Sequence, residues 1–190
     1  GAEWDPVSRL AIGLWKNQLT TYDPETDEVA VRDRMNLSPF PGDGGLYYVS
    51  RSDRFYYIST YYWNVARCPE ATPPIVWEIT LDRGDWQATR YRQLTTEMSG
   101  DIPSLGCGGQ GEKGFAVDQK RGVLIMFDDG YVYEFDPADY RWRKRAVTAV
   151  DGTASGIDQS FFAIDYAPDY DVFIVIGDDR TWAYRHGTLR

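Results

Sequence analysis

The sequence predicts an all-β fold, a β-propeller forming one domain or propeller segment over residues 1–190, and three observations predict it. A short phrase of strand-sized apolar runs recurs four times, aromatic residues make up 15% of the chain, and no stretch carries a helical period. Flat aromatic and β-branched side chains pack well on a pleated surface, so the 14 Tyr and 7 Trp weigh toward strands. A repeat of roughly 45 residues built from short strands is the signature of propeller blades.

The first repeat runs from Trp4-Asp5 through Leu10-Ala11-Ile12 to Tyr22-Asp23-Pro24, with a blade expected over about 2–35. The second runs from Val49-Ser50 through Phe55-Tyr56-Tyr57-Ile58 to Val76-Trp77-Glu78-Ile79, a blade over about 46–94 with an insertion from Tyr61 to Pro74. The third, over about 115–150, leads from Val117-Asp118 through Val123 to Phe127 and on to Phe135-Asp136-Pro137. Its outer edge strand, Trp142 to Val147, carries Arg143, Lys144 and Arg145, charges of the kind that discourage edge-to-edge pairing. The fourth, over about 162–187, leads from Ile164-Asp165 through Val172 to Ile176 and on to Trp182-Ala183-Tyr184. Asp5 to Asp23 and Asp118 to Asp136 are the same 18 residues apart, which supports true repetition. Gly-rich connections, Pro41 to Gly45 and Gly106 to Gly111, fall between blades.

The phrases Trp4-Asp5-Pro6-Val7-Ser8-Arg9-Leu10, Tyr22-Asp23-Pro24-Glu25-Thr26 and Phe135-Asp136-Pro137-Ala138-Asp139-Tyr140-Arg141-Trp142 resemble Kelch-type blades, the repeat also found in the central domain of galactose-oxidase-like proteins. The likeness covers nearly the whole chain in pattern. The double glycine that usually ends the second Kelch strand is replaced by Asp128-Asp129 and by Gly177-Asp178. Hemopexin-type four-bladed propellers are the rival resemblance, but their disulfide joins the first and last blades, whereas Cys68 and Cys107 lie mid-chain. The fourth repeat ends at its third strand, and only three residues precede the first, so ring closure is expected to need additional blades or a partner chain. A self-closed four-bladed disc is the alternative.

Strand alternation sorts the connections onto two faces. One receives Trp15, the Tyr61 to Pro74 insertion, Asp128-Asp129, Asp178-Asp179-Arg180 and the Gly-rich connections; the other receives short turns of Asp, Pro, Gly and Thr. Long loops on a rigid scaffold are where binding concentrates, so the first face is the expected functional side. Cys68 and Cys107 fall on it in loops leaving the same blade; a disulfide between them is expected, and with it an oxidising, extracytoplasmic or secreted setting. Reduced cysteines would point instead to an intracellular Kelch adaptor.

The binding candidates on this face are Trp15, Tyr61, Tyr62, Trp63, Asp128, Asp129, Asp178, Asp179 and Arg180. The aromatics offer stacking surface to a sugar or a protein. Asp128 and Asp129 could hold Ca²⁺, although Asp-Asp-Gly is also a good hairpin turn and no EF-hand spacing is present. No other metal or cofactor is expected. The net charge of -9 argues against a general nucleic-acid binder, and no apolar run approaches the roughly 18 residues that cross a bilayer. Thr181-Trp182 is similar to the end of a sialidase Asp-box, but the preceding residues lack the rest of that motif.

His186 is the only histidine, so a copper-radical site like that of galactose oxidase, which needs several, cannot be built from this chain alone. A Ser-His-Asp arrangement would depend on that same residue in a terminal segment expected to fray. The reading is therefore a non-catalytic binding or scaffolding propeller presenting a loop-rich acidic and aromatic face to a protein or glycan. The alternative is a carbohydrate-active enzyme, hydrolase or lyase, using carboxylates on that face.

Overall fold

The computed structural model describes residues 1–15, 17–34, 44–59, 73–104, 114–128, 130–148, 161–177 (161–162 by backbone only) and 181–187. They form four small antiparallel sheets arranged as a four-bladed propeller. Blade 1 holds β1 (Ala2–Asp5), β2 (Leu10–Trp15), β3 (Gln18–Asp23) and β4 (Glu28–Arg34); blade 2 holds β5 (Gly45–Val49), β6 (Arg54–Ser59), β7 (Ile75–Thr80) and β8 (Arg90–Gln93). Blade 3 holds β10 (Phe115–Asp118), β11 (Val123–Asp128), β12 (Tyr131–Asp136) and β13 (Arg141–Ala146), with β9 (Ser99–Gly100) added at its edge. Blade 4 holds β14 (Phe161–Ala167), β15 (Val172–Gly177) and β16 (Thr181–Tyr184). The inner strands β1, β5, β10 and β14 contact one another in that order.

Six hairpins share one turn. Four residues separate β1 from β2, β3 from β4, β5 from β6, β10 from β11, β12 from β13 and β14 from β15, and the last of the four always has positive φ: Arg9, Asp27, Asp53, Gly122, Tyr140 and Asp171. Aspartate tolerates this left-handed conformation better than most residues. At the turn entrance Asp5, Asp23 and Asp136 each accept a hydrogen bond from the backbone N–H two residues on, at 2.8–3.1 Å, and Asp118 accepts one from Arg121 N–H at 3.0 Å. The recurrent aromatic-Asp phrase is thus a side-chain-capped turn, and all six turns lie on one face of the propeller.

Alternation along each strand sends side chains to both neighbouring blades. On β6, Phe55 and Tyr57 pack toward blade 1 while Tyr56 and Ile58 pack toward blade 3. On β11, Leu124 and Met126 face blade 2, and Val123, Ile125 and Phe127 face blade 4. A strand covered on both faces reads as a continuous apolar run, as Phe55 to Ile58 of β6 and Val123 to Phe127 of β11 do.

The outer edge of blade 3 differs from the sequence reading. The chain leaving blade 2 lays β9 parallel to β13, pairing Ser99 with Arg141 and Gly100 with Trp142. Gly100 is required there: its φ is +83°, and a Cβ would sit 2.2 Å from the Trp142 carbonyl oxygen. The start of this edge is therefore covered by backbone pairing, and Arg143 folds back onto Glu134, Asp136 and Asp139.

Trp142 anchors the joint between blades 2 and 3. It is fully buried, its ring lies 5.0 Å from Phe135 and 6.2 Å from Phe115, and its Nε1–H donates to Met98 Sδ at 3.2 Å. Trp142→Ala is expected to cost about 3–5 kcal/mol, read as a lowered urea midpoint, because the cavity spans two blades and neither sheet can collapse into it alone.

Candidate functional site

Charged clasps on the turn face join blade 1 to blade 2 and blade 3 to blade 4. At the joint of blades 1 and 2, Arg83 grips both carboxylates presented to it. It donates to Asp5 at 2.7 and 2.9 Å and to Asp53 at 2.7 and 2.9 Å. Burial alone would raise the Asp5 carboxyl, but bonds from Arg83, Ser8 and the Val7 N–H outweigh it and hold the group below the usual carboxylate range. The Arg83 bonds, chiefly, do the same for Asp53. The clasp joins blades 3 and 4 through Arg121, which bonds Asp118 of its own blade at 2.5 Å and Asp171 of the next at 2.7 and 3.1 Å.

Blades 2 and 3 are joined differently. Glu78, almost wholly buried, accepts from Arg54 at 2.6 Å, from the Tyr56 hydroxyl at 3.1 Å and from the Tyr140 hydroxyl of blade 3 at 3.1 Å. Gln119 reaches back across the joint, accepting from Ser50 N–H at 3.0 Å and donating to the Tyr48 carbonyl at 2.7 Å.

Between these attachments the turn face opens into a cleft of about 520 Å³, lined by Arg51, Arg54, Arg121, Asp136, Pro137 and Tyr140 among others. That volume lies within the range of small-ligand sites. Arg51 donates to the Arg121 carbonyl at 3.2 Å, and no described carboxylate pairs with it. Gly122 makes room for it: at φ +74°, a Cβ there would meet the Arg51 side chain at 2.9 Å. A second cavity, about 290 Å³, lies among the four inner strands, with Glu3, Tyr47, Val117, Gln119, Ile164 and Asp165 on its wall. Burial, reinforced by the Asp165 carboxylate and opposed by a bond from Trp4 N–H, pushes the Glu3 carboxyl above its ordinary value.

Of the residues singled out from sequence, Trp15 and Asp128 are described. They end β2 and β11 on the face opposite the six turns, and Trp15 is 59% exposed. Tyr131, paired with Asp128 across the hairpin, lies beneath the Lys144 ammonium at 3.8 Å from its ring centre. Tyr61, Tyr62, Trp63, Asp129, Asp178, Asp179, Arg180, Cys68 and Cys107 lie outside the described residues. No cluster of three or more His, Cys, Asp or Glu side chains that could hold a metal ion is gathered among the described residues.

Two sequence expectations need correction. His186 is not in a frayed tail: it is buried, its Nε2 lies 2.7 Å from Glu134 Oε2, and Phe173 meets its ring edge-on. Nor is the short-turn face explained by turn chemistry alone, because its turns carry the cleft arginines. The signal was there in Ser50-Arg51-Ser52-Asp53 and Gln119-Lys120-Arg121-Gly122, where Arg51 and Lys120 hold the same turn position and Arg121 follows directly.

No protein-family model matches the chain, and no curated protein matches it. Among solved structures it is similar to the crystal structure of an auxiliary nutrient binding protein from Bacteroides thetaiotaomicron, with a TM-score of 0.54 and 14% identity. The match covers 94% of this chain and 44% of that one, so the chain spans less than half the length of its structural neighbour. At this identity the likeness is one of fold.

The clasps fix an acid limit. Asp5, Asp53, Asp171 and Glu134 all have folded-state values below their ordinary ones, so their stabilisation is complete above the unfolded carboxylate range near about pH 4 and is lost as pH falls through the folded values. Glu3, the one described carboxylate shifted upward, works in the opposite direction. The melting temperature is expected to hold from pH 7 to about pH 5 and to drop below about pH 4. Arg83→Met, which strands the fully buried Asp5 carboxylate, is expected to cost about 3–5 kcal/mol at pH 7 and to flatten that acid dependence, as followed by near-UV circular dichroism.

Proposed function

We propose that this chain belongs to a non-catalytic binding propeller, extracytoplasmic, that presents rigid hydrogen-bonding surfaces to a glycan or protein partner. The observation that carries the reading is the cleft between blades 2 and 3. Its walls are turns clasped to neighbouring blades, so binding groups are held in place before a ligand arrives, which lowers the ordering cost of association. Arg51 supplies planar donors without a described carboxylate partner, and the half-buried Tyr140 ring and the exposed Ala138 supply apolar surface beside them. Hydroxyl-rich sugars suit that mixture of fork-shaped donors and flat apolar patches.

On the opposite face, exposed Trp15 supports the wider reading, in which Tyr61, Tyr62, Trp63, Asp128, Asp129, Asp178, Asp179 and Arg180 contribute to a loop-rich contact surface and Cys68–Cys107 pins the long insertion. Histidine-based acid–base chemistry has no support, because the one histidine is buried against Glu134. The similar Bacteroides structure is named as a nutrient binding protein, which agrees with a binding role without naming a ligand for this chain.

Calorimetric titration against a panel of neutral and acidic oligosaccharides tests the proposal. Binding is expected, and Arg51→Ala is expected to weaken it about tenfold or more while leaving the melting temperature nearly unchanged, since loss of a hydrogen bond to a charged donor costs about 1.5–3 kcal/mol. Cleavage of any panel member by the wild-type protein, abolished by carboxylate substitutions, would overturn the non-catalytic reading. Binding that is indifferent to Arg51→Ala would move the site to the Trp15 face.

A further inference from the structure

Two sheet faces in this propeller have the composition of blade interfaces but no blade against them among the described residues. In blade 1, Ile12, Leu14 and Leu19 pack toward blade 2. The other side of the same sheet carries the cross-strand row Trp4–Ala11–Tyr22–Val29 and, next to it, Ala2–Gly13–Thr20–Val31. Trp4 is 44% exposed, Val31 53%, and Tyr22 and Val29 are exposed as well, with Trp15 standing at the end of the same side. Five large apolar residues on one sheet face exceed the scatter of single exposed hydrophobics that any surface shows.

Blade 4 repeats this at the other end. Its rows Ile164–Val175–Trp182 and Tyr166–Phe173–Tyr184 pack on blade 3. The reverse side carries Asp165–Ile174–Ala183 and Ala163–Ile176–Thr181, with Ile176 46% exposed. The sequence Val172-Phe173-Ile174-Val175-Ile176 is apolar at every position, the pattern that β6 and β11 show because both of their faces are covered. A strand covered on one face alternates instead. Three inter-blade cores and three sets of joining polar contacts link the four blades in series; among the described residues neither a buried core nor a clasp joins blade 4 to blade 1.

We propose that both faces are blade interfaces, each covered in the native protein by a further antiparallel blade of the same continuous polypeptide. The chemistry of each neighbour follows from the face it meets. Blade 1 offers large rings over a floor of Ala2, Ala11 and Gly13, which accepts branched aliphatic side chains between the rings. Blade 4 offers Ile174 and Ile176 between the small Ala163 and Ala183, which accepts aromatics. Among the described residues each buried inter-blade core forms between blades consecutive in sequence, and β9 shows the connecting segment itself stitched to the next blade. The similar solved structure shows this fold within a longer chain, of which the match covers 44%. A second copy docked head to tail would have to close symmetrically or polymerise, whereas a continuous chain closes by connectivity. The assignment does not depend on what the cleft binds.

Hydroxyl-radical footprinting of Trp4 and Tyr22 tests it, comparing the 190-residue chain with the polypeptide extended by its own flanking gene sequence. Both residues are expected to react readily in the 190-residue chain and to be protected several-fold in the longer one. As a second readout, Val31→Lys and Ile176→Lys are expected to shift the melting temperature of the 190-residue chain by no more than about 2 °C and to lower that of the longer polypeptide by about 6 °C or more. Equal reactivity of Trp4 and Tyr22 in the two proteins overturns the proposal. So does protection that appears in the 190-residue chain with rising concentration and a doubled mass, which would assign the faces to a second copy.

Discussion

A sheet of four short strands has two apolar faces and no interior of its own, so each blade is stable only against its neighbours. That constraint organises everything else in this chain. The largest fully buried side chains, among them Trp142, Tyr56, Tyr57 and Phe127, lie between sheets, where each contributes about 1.5–3 kcal/mol by leaving water. The charged clasps lie at the rim of these joints. A half-buried guanidinium and its carboxylates roughly balance desolvation against attraction, so their part is to fix how far one blade is turned against the next rather than to supply the bulk of cohesion.

The same residues tie structure to the proposed binding cleft. Arg121 belongs to both: its side chain spans blades 3 and 4, its carbonyl accepts from Arg51, and its turn forms one wall of the cleft. Tyr140 likewise donates across the joint to Glu78 while lining the cleft. The shape of the cleft therefore depends on blade registration, and a change that loosens a clasp alters the cleft without touching a ligand.

How much of this was legible depended on range. Strands, turns and the blade repeat rest on residues within a few positions of one another, and the doubly covered strands β6 and β11 announced themselves as unbroken apolar runs. The partnership of Arg83 with Asp5 spans 78 positions and that of His186 with Glu134 spans 52, so nothing local distinguishes these residues from surface charges. β9 is two polar residues long and pairs parallel, leaving no period to find. Trp15 and Asp128 end β2 and β11 opposite the six turns, where strand alternation puts them, but the arginines of the cleft were hidden by a turn grammar that accounts for their neighbours.

The Tyr-x₄-Asp pairs show why a legible motif can still conceal its use. Tyr22, Tyr48 and Tyr166 each donate to the aspartate that closes the turn five residues later, at 3.2, 3.0 and 2.8 Å. In the second and third cases the tyrosine ring is buried in an inter-blade core, and the aspartate's carboxylate also takes an arginine from elsewhere, Arg83 or Arg121. Core, turn and clasp are then one connected unit; burial and the Asp171 bond push the Tyr166 hydroxyl up to about 12, keeping it a donor at any physiological pH. In the first case the same local arrangement sits on an exposed sheet face, and no described arginine reaches Asp27. The turn is written in the sequence, but whether it becomes a clasp is decided by the blade that packs beside it.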